Sequence, residues 1–416
     1  MKTSLLFHQL PNGLMLLGEE MPWSEVVSFA VLFPAGTVND PDDKSGLAGM
    51  TCDMTSRGAG QLDNRQFLQT LENLGIDISE SASQTYTVFH ATMLACQLDR
   101  ALELVADQIR RPLFAGNELA SCRQALLQEL AAVEDEPAQK LMLEQERNFL
   151  PWPLGRPSFG TAEGLDNISM ADIHNYHRQF YQPAGGVIGV AGRFDRERLK
   201  EKVELLFNDW EEKKRPDIIE REVGRKLVHI PFDSEQTHIG LACPSIPLGH
   251  PDYYLAWSGV KVLSGGMSSR LFTEVREKRG LCYTVYASHC TYKNRGAIYC
   301  YCGTRVRQAT ESLEVILREF RNLSEEGITE EELERIKIQA KSSLIMSQES
   351  TKMRAGTIAF DWYFLQRVRG LDELEEIINR LSVSSINRYL SEHPVTGMRL
   401  VTLGNEPIPV SEDMLP

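Results

Sequence analysis

The chain carries the sequence SSRLFTEVREKRGLCY at residues 268–283. This pattern predicts a helix over residues 268–278, followed by a strand that begins at Tyr283. Gly280 lets the helix end, because glycine readily adopts the left-handed backbone conformation found just past helix C-termini. Arg276 lies near the end of that helix, seven positions before Tyr283. The stretch therefore places a guanidinium and a phenol, both hydrogen-bond donors at pH 7, in one helix–turn–strand unit.

The elements around this unit occur twice along the chain, which indicates an internal repeat. Each half is predicted to contain an alternating strand, a strand that leads into a helix, a longer helix, and a short helix followed by a strand that ends in glycine. The alternating strands are residues 25–33 and 236–243, and the helices that follow the second strand are residues 98–110 and 308–323. The longer helices are residues 117–134 and 329–347, and the final strands are residues 187–192 and 398–404.

Matching landmarks in the two halves are separated by a nearly constant number of residues. Leu119 and Leu333 in the long helices are 214 residues apart, and Gly192 and Gly404 at the strand ends are 212 residues apart. A constant spacing over several elements is hard to obtain by chance. We therefore predict an α+β protein made of two homologous α/β-sandwich domains.

The boundary between the halves is predicted in the segment EEKKRPD at residues 211–217. This segment is charged, poor in apolar residues and interrupted by proline, which is typical of an exposed linker. We therefore predict an N-terminal domain over residues 1–212, a linker over 213–222 and a C-terminal domain over 223–416.

The composition is that of an ordinary globular protein, with 42% hydrophobic and 25% charged residues among 416. A formal net charge of −14 argues against nucleic acid as a partner, because nucleic-acid-binding proteins carry a basic surface. No apolar run approaches the ~20 residues that span a bilayer, and the N-terminus lacks the pattern of a secretory signal. We therefore expect no membrane partner and a cytoplasmic location.

The eight cysteines are too few in a chain of this length to form a disulfide scaffold. Cys300 and Cys302 form a C-x-C pair, but they fall in a predicted strand and lie on one face of it. We expect both to be buried, unreactive thiols.

Several segments resemble, in order, those of the pitrilysin/insulinase-like metallopeptidase family. These are LPNGL at 10–14, FPAGT at 33–37, LLQE at 126–129, FYQP at 180–183 and, most specifically, residues 268–283. The last is similar to the short, two-domain bacterial members and to the mitochondrial processing peptidases. The resemblance implies a duplicated metallopeptidase-like hydrolase fold, in which four domains enclose a peptide chamber. Since this chain would supply two domains, the resemblance also implies a second subunit.

The segment GLAGMTCDM at residues 46–54 resembles the family's zinc-binding helix but lacks its H-x-x-E-H motif. Two histidines at positions i and i+4 share a helix face and bind one zinc ion, while the glutamate at i+3 serves as general base. In this sequence the three positions fall on Gly49, Cys52 and Asp53, and the family's distal glutamate ligand falls on Glu129. The resemblance implies a degenerate zinc site, with no cofactor in this chain and zinc in a partner subunit.

A rebuilt metal site made of Cys52, Asp53 and Glu129 is an alternative, because thiolates and carboxylates both bind zinc. Such a site would lack an evident general base, since a thiolate here would bind metal in preference to transferring a proton. The simpler interpretation of Glu129 is a solvated or hydrogen-bonded helix residue. We do not expect this chain alone to hydrolyse peptides.

The resemblance assigns Arg276 and Tyr283 a role in catalysis. In the family, an arginine and a tyrosine at this spacing project into the chamber opposite the zinc site, where they donate hydrogen bonds to the substrate carbonyl and its tetrahedral intermediate. Donors aimed at a developing oxyanion contribute roughly a few kcal/mol to catalysis. The alternative is structural: Arg276 pairs with Glu274 or Glu277 on the surface, and Tyr283 packs in a core.

We consider three hypotheses for the function. In the first, the chain is the non-zinc-binding subunit of a heterodimeric zinc metallopeptidase, in which Arg276 and Tyr283 complete the site of a related H-x-x-E-H subunit that acts on an extended peptide. In the second, it is a structural or peptide-presenting subunit, as the core proteins of respiratory complexes are. The partner is either a related H-x-x-E-H subunit, in a heterodimer, or a second copy of this chain. In the third, it is a divergent metalloenzyme that uses Cys52, Asp53 and Glu129.

Overall fold

The computed structural model describes residues 5–416, which form two α/β units. The strands are β1 (Leu6–Gln9), β2 (Met15–Glu20), β3 (Val26–Phe33), β4 (Gly58–Ala59), β5 (Leu62–Asp63), β6 (Asp77–Ala82), β7 (Thr87–Leu94), β8 (Val187–Gly192), β9 (Leu227–Pro231), β10 (Gln236–Ser245), β11 (Cys282–Thr291), β12 (Gly296–Arg305) and β13 (Arg399–Gly404). The α-helices are α1 (Leu47–Thr55), α2 (Asn64–Leu74), α3 (Leu98–Arg110), α4 (Leu119–Asp135), α5 (Pro137–Phe149), α6 (Ala162–Asn167), α7 (Met170–Phe180), α8 (Arg196–Phe207), α9 (Tyr253–Ser264), α10 (Ala309–Glu325), α11 (Glu330–Gln348), α12 (Thr351–Leu365), α13 (Leu371–Arg380) and α14 (Val383–Glu392).

The first unit is built on a six-stranded sheet with the order β1-β2-β8-β3-β7-β6. Strands β2 and β8 pair in parallel, and all other neighbours in this sheet pair antiparallel. The central strands β3 and β8 are apolar along almost their whole length and almost wholly buried. Such continuous apolar strands are typical of a sheet that is covered on both faces.

The second unit repeats this arrangement in a five-stranded sheet with the order β11-β12-β10-β13-β9. Strands β13 and β9 pair in parallel, and the other neighbours pair antiparallel. The two sheets share the same strand order and the same strand directions. The correspondence matches β6, β7, β3, β8 and β2, in that order, to β11, β12, β10, β13 and β9. The predicted duplication of an α/β sandwich is therefore confirmed.

Helices cover both faces of each sheet because their apolar residues recur at helical spacing. In α3, for example, Leu98, Leu102, Val105 and Ile109 are all buried in the core of the first unit. That core also holds side chains of α1, α7 and α8, while α9, α10 and α14 supply the core of the second unit. The opposite faces are covered by α12 in the first unit and by α5 in the second.

Two chain segments depart from the predicted domain division. One unit consists of residues up to 131 with 152–221 and 346–368, and the other of residues 132–151, 222–345 and 369–416. The break at 221/222 falls inside the predicted linker 213–222, but α5 packs on the second sheet and α12 on the first. Each of these two helices therefore belongs to the unit that is formed mainly by the other half of the chain, an arrangement that we call the exchange of α5 and α12. The predicted division into 1–212 and 223–416 misses this exchange. Helix periodicity shows which face of a helix is apolar, but it does not show which sheet that face packs on.

Each exchanged helix approaches its sheet closely at a glycine. The amide of Gln145 on α5 donates hydrogen bonds to two sheet carbonyls at 3.1 and 3.2 Å. A Cβ atom on Gly240 would lie 2.5 Å from the Gln145 side chain, so β10 has no room for a larger residue there. In the first unit, a Cβ atom on Gly189 of β8 would lie 2.6 Å from the carbonyl oxygen of Ala355 on α12.

Candidate functional site

Helix α1 carries the three degenerate motif positions and is fixed at its N-terminus by Asp40. The Asp40 carboxylate accepts hydrogen bonds from the backbone N–H groups of Gly46 and Ala48, both at 2.9 Å. These bonds satisfy donors that every helix leaves unpaired in its first turn. Burial nevertheless raises the pKa of Asp40 to about 7, against the opposing effect of these hydrogen bonds.

Gly49 contributes no side chain, although the structure has room for one. A Cβ atom built on Gly49 would meet only the carbonyl oxygen of Ser158, at 3.9 Å, which is an ordinary van der Waals contact. The backbone of α1 therefore tolerates a larger residue at the first motif position. The first zinc ligand is missing because of the residue type and not because the helix is distorted or covered there.

Cys52 is a core residue. Its side chain is 3% exposed and belongs to the apolar cluster of the first unit. Burial, together with the negative charge of Glu80, raises the pKa of the Cys52 thiol well above its usual range. The thiol therefore stays protonated at neutral pH and is neither a general base nor a ready metal ligand.

Asp53 is engaged in an ion pair with Arg57. Arg57 Nε donates to Asp53 Oδ2 at 2.7 Å, and Arg57 Nη1 lies 3.4 Å from Glu118 Oε2. A second buried thiol, Cys122, lies beside this pair; burial and the charge of Asp53 raise its pKa. The Asp53 carboxylate, which could have served as a zinc ligand, is thus paired with the Arg57 guanidinium. Arg57 was not among the predicted site residues, although its i,i+4 spacing from Asp53 is the usual signal of such a pair.

Glu129 is exposed on α4 and lines a cavity of about 300 Å³ together with Gly49, Cys52, Asp53 and the edge strand β6. Glu80 of β6 also lines this cavity, and burial raises the pKa of its carboxyl, with a further contribution from Asp53. The structure therefore brings the four residues predicted from the degenerate motif to one pocket, and it adds Glu80, which sequence reasoning missed.

A zinc ion does not fit the residues of this pocket. Within residues 5–416, no group of three His, Cys, Asp or Glu side chains is arranged to hold a metal ion. The chemistry of the donors agrees with this, because Gly49 offers no ligand, the Cys52 thiol is protonated and Asp53 is paired with Arg57. Catalytic zinc sites use three protein ligands and an open position.

Arg276 lies in a π-helix, Phe272–Glu277, and not in the regular α-helix predicted over residues 268–278. The wider turn is visible in the backbone, where the N–H of Lys278 donates to the carbonyl of Thr273 at 2.9 Å. Single π-helical turns are frequent at functional sites. The Arg276 guanidinium lies over the Phe272 ring, with its carbon 4.7 Å from the ring centroid.

Tyr283 is displaced outward by a β-bulge at the start of β11. Cys282 pairs with Thr304 and Thr284 pairs with Gly303, so Tyr283 is the extra residue. Bulges of this kind re-aim side chains next to active sites. Tyr283 is 80% exposed, and its ring centroid lies 4.9 Å from the guanidinium carbon of Arg276.

The structural interpretation of Arg276 and Tyr283 is contradicted in its main element, because Tyr283 does not pack in a core. Arg276 does lie near Glu277, at 3.7 Å between Nε and Oε1. Glu274, the other candidate partner, instead pairs with Lys278 and Arg279 at 2.6 Å each. The guanidinium of Arg276 is thus only weakly paired and stacks on the exposed phenol. The pair belongs to the second unit, and the four motif positions belong to the first.

The fold and these sites define a metallopeptidase-like protein of duplicated α/β architecture with a degenerate metal motif. The sequence profile described as "Insulinase (Peptidase family M16)" matches residues 16–153, and that described as "Peptidase M16 inactive domain" matches residues 167–340. The chain belongs to this pitrilysin/insulinase-like family, as its sequence predicted.

Relatives cover nearly the whole chain. An uncharacterized zinc protease of Bacillus subtilis is 28% identical, over 90% of this chain and 92% of the relative's length. An uncharacterized zinc protease of Rickettsia felis is 26% identical, over 93% of this chain and 94% of the relative's length. The solved peptidase M16 inactive domain from Pseudomonas fluorescens has a TM-score of 0.88 at 23% identity, and a protease from Helicobacter pylori has 0.89 at 22%. Each alignment covers 97% of this chain, together with 98% of the Pseudomonas fluorescens chain and 99% of the Helicobacter pylori chain. This similarity shows that the three chains share a fold. Among the helices of residues 5–416, none is long and apolar enough to cross a membrane.

Proposed function

We propose that this chain is the zinc-free subunit of a two-subunit metallopeptidase, in which Arg276 and Tyr283 act on a peptide held at the metal site of a related H-x-x-E-H subunit. The guanidinium and the phenol donate hydrogen bonds to the carbonyl oxygen of the scissile bond. They would stabilise the negative charge that develops on that oxygen during hydrolysis, for which a zinc ion held by the partner would supply the activated water. A homodimer could not cleave peptides in this way, because neither copy would supply the metal ligands.

The contrast between the two sets of residues supports this proposal most strongly. The metal motif has been replaced by a glycine, a buried thiol and an ion pair. Tyr283, in contrast, stands out from the surface on a bulge and Arg276 stacks against it from a π-helix. Exposing a phenol in this way forgoes the favourable burial of a large aromatic ring. A purely structural subunit has no need of that arrangement.

Strand β6 provides a place for an extended peptide in the first unit. It is one of the two edge strands of its sheet, and its residues 80–82 line the cavity that also contains Gly49 and Asp53. An exposed edge has free N–H and C=O groups, to which a peptide adds as a further strand. We infer that this chain contributes to holding the peptide even though the residues of its own cavity do not fit a metal ion.

The proposal is tested by co-expression with a related subunit that has an intact H-x-x-E-H motif, sought first in the reading frames beside this chain's gene. The two chains are co-purified, their zinc content is measured, and cleavage of unstructured peptides is assayed. We expect one zinc ion per pair of subunits and activity that needs both chains. Arg276→Ala and Tyr283→Phe should each lower activity without loss of zinc.

Matched control variants lie close by. Arg279→Ala removes an exposed guanidinium of the same segment, and Tyr286→Phe removes a phenol oxygen from the same strand. Both controls should leave activity nearly unchanged. A complex that is equally active with the Arg276 and Tyr283 variants would indicate a structural or peptide-presenting subunit. Stoichiometric zinc in this chain alone would overturn the proposal and favour a site made of Cys52, Asp53 and Glu129.

A further inference from the structure

Two cysteines of the second unit lie on neighbouring strands at the start of β11. Cys282 is the first residue of that strand and pairs with Thr304 on β12, so Cys302, two residues further along, is its diagonal neighbour on the same face. Both side chains pack in the apolar core of the second unit. Cys302 is fully buried, and Cys282 is half-buried.

The surroundings of Cys282 favour its thiolate. The neighbouring Cys302 thiol lowers the pKa of Cys282, and the Arg276 guanidinium acts in the same direction against the effect of burial. Low pKa and partial exposure are the two features that separate reactive cysteines from inert ones. The other half-buried cysteine of this strand, Cys290, has its pKa raised by burial.

We propose that Cys282 and Cys302 form an oxidisable dithiol, a modification site that reacts with small disulfides such as oxidised glutathione and closes to an intrachain disulfide beside Arg276 and Tyr283. Cys300 and Cys302 are both buried, as the sequence predicts, and the proposal makes Cys302 the thiol that closes the disulfide after Cys282 has reacted. Cys300, its C-x-C neighbour, lies opposite Ala287 and is too far along the strand to compete.

The reaction is ordinary thiol–disulfide exchange. The Cys282 thiolate attacks one sulfur of oxidised glutathione, the S–S bond breaks, and one glutathione thiolate leaves. Cys302 then loses its proton and attacks the Cys282 sulfur, which displaces the second glutathione thiolate. The two protein thiols are oxidised by two electrons, oxidised glutathione is reduced to two thiols, and the protons lost by the protein balance those taken up by glutathione.

The fold allows the closing step, because β11 is the edge strand of its sheet and Cys282 stands at its end. A disulfide needs the two sulfurs at about 2.05 Å and the two Cα atoms within about 7 Å, whereas diagonal neighbours on adjacent strands stand about 7–8 Å apart. The end of an edge strand can shift toward its neighbour to close that gap. The shift carries Tyr283, the next residue, with it, so oxidation is expected to disturb the contact between Tyr283 and Arg276.

The chemistry is tested on the isolated chain. It is incubated with oxidised glutathione, digested without reduction and analysed by mass spectrometry. We expect a peptide cross-linked between Cys282 and Cys302, a glutathione adduct on Cys282 in Cys302→Ala, and neither in Cys282→Ala. The exposed Cys96 is the internal control and should carry a glutathione adduct without a cross-link. An unmodified Cys282 beside a modified Cys96, or a cross-link from Cys282 to Cys300, would overturn the inference.

A second measurement does not depend on closing the disulfide. Cys282 should be alkylated by iodoacetamide several-fold faster than Cys290 at pH 7. Arg276→Gln should slow the reaction at pH 7 and not at pH 10, where the thiol is ionised without help from the cation. Equal slowing at both pH values would mean that Arg276 affects access alone and would contradict the role given to its charge.

The effect on turnover rests on the proposed function and is measured separately, with the partner subunit present. Oxidised glutathione should lower peptide cleavage by the wild-type complex and leave the Cys282→Ala complex active, with the same activity as the wild type before oxidation. A cross-link that forms without any change in turnover would contradict the regulatory effect. The failure of Arg276 and Tyr283 variants to alter turnover would overturn the proposed function while leaving the dithiol chemistry intact.

Discussion

Asp53 and Arg57 form an ion pair at the C-terminal end of α1, with 2.7 Å between Oδ2 and Nε. The carboxylate occupies the motif position at which the family's second histidine would bind zinc. The guanidinium lies just past the end of the helix, where a cation also interacts favourably with the helix dipole. The side chain at this motif position is thus paired with a cation of its own segment.

A double-mutant cycle measures the energy of this pair. Asp53→Ala and Arg57→Ala, separately and together, should give a coupling of about 1 kcal/mol in the free energy of unfolding, because both side chains are partly shielded from water. Urea unfolding followed by circular dichroism provides the four values. Strictly additive effects would show that the pair contributes nothing to stability.

Restoring the motif should restore zinc binding, since Gly49 has room for a side chain and Glu129 faces the same cavity. We expect the variant Gly49→His/Cys52→Glu/Asp53→His to bind about one zinc ion per chain, as three protein ligands suffice for a catalytic-type site. Equilibrium dialysis with metal analysis measures the binding. Adding Arg57→Ser should tighten it, because that substitution removes a positive charge beside the second introduced histidine. Adding Glu129→Gln should weaken it, and unchanged binding would show that Glu129 is not the third ligand.

His177 makes stability depend on pH. Its Nε2 lies 2.7 Å from the carbonyl oxygen of Ile109, and burial lowers the pKa of His177 to about 4. The unfolded chain binds a proton below the ordinary value near 6.5, whereas the folded chain does so only near 4. The stabilisation is therefore complete above pH 6.5 and is lost as the pH falls toward 4.

Between pH 7.5 and 5, the wild type should accordingly lose about 2 kcal/mol more than His177→Gln, which cannot titrate. Urea unfolding of both proteins at the two pH values measures the difference. The same loss in both would show that His177 is not the group responsible.

The contact between α5 and β10 predicts a strongly position-specific effect. Gly240→Ala should destabilise the chain by about 1–3 kcal/mol, because the new methyl group overlaps the Gln145 side chain. Combining it with Gln145→Ala should cost less than the sum of the two single effects, since the smaller side chain makes room. Gly189→Ala is the matched control, because it meets the backbone of α12 and Gln145→Ala cannot relieve it. Additivity in the first pair would contradict the close approach.

The fold followed from the sequence to the extent that it depends on local pattern. The predicted helix at 98–110 and the predicted strand at 187–192 coincide with α3 and β8, and the duplication was visible in the spacing of Gly192 and Gly404. The exchange of α5 and α12 was not visible, because it depends on which sheet offers a matching surface. Close-approach glycines such as Gly240 were missed for the same reason.

The candidate site was predictable in its residue types but not in its geometry. The family resemblance located Gly49, Cys52, Asp53 and Glu129, which the structure brings to one cavity. The π-helix around Arg276 and the bulge at Tyr283 leave no mark in the hydrophobic pattern, because both arise from one extra residue in an otherwise regular element. Those two irregularities are what distinguish an exposed pair of donors from a surface arginine and a core tyrosine.

The central claim is tested most directly by the turnover number of the two-subunit complex carrying Tyr283→Phe in this chain, measured beside Tyr286→Phe. Loss of a hydrogen bond that forms only in the transition state should lower kcat by roughly 100-fold with little change in KM or zinc content, and Tyr286→Phe should match the wild type. Equal kcat values for the Tyr283→Phe and wild-type complexes would contradict a role for this chain in the partner's active site.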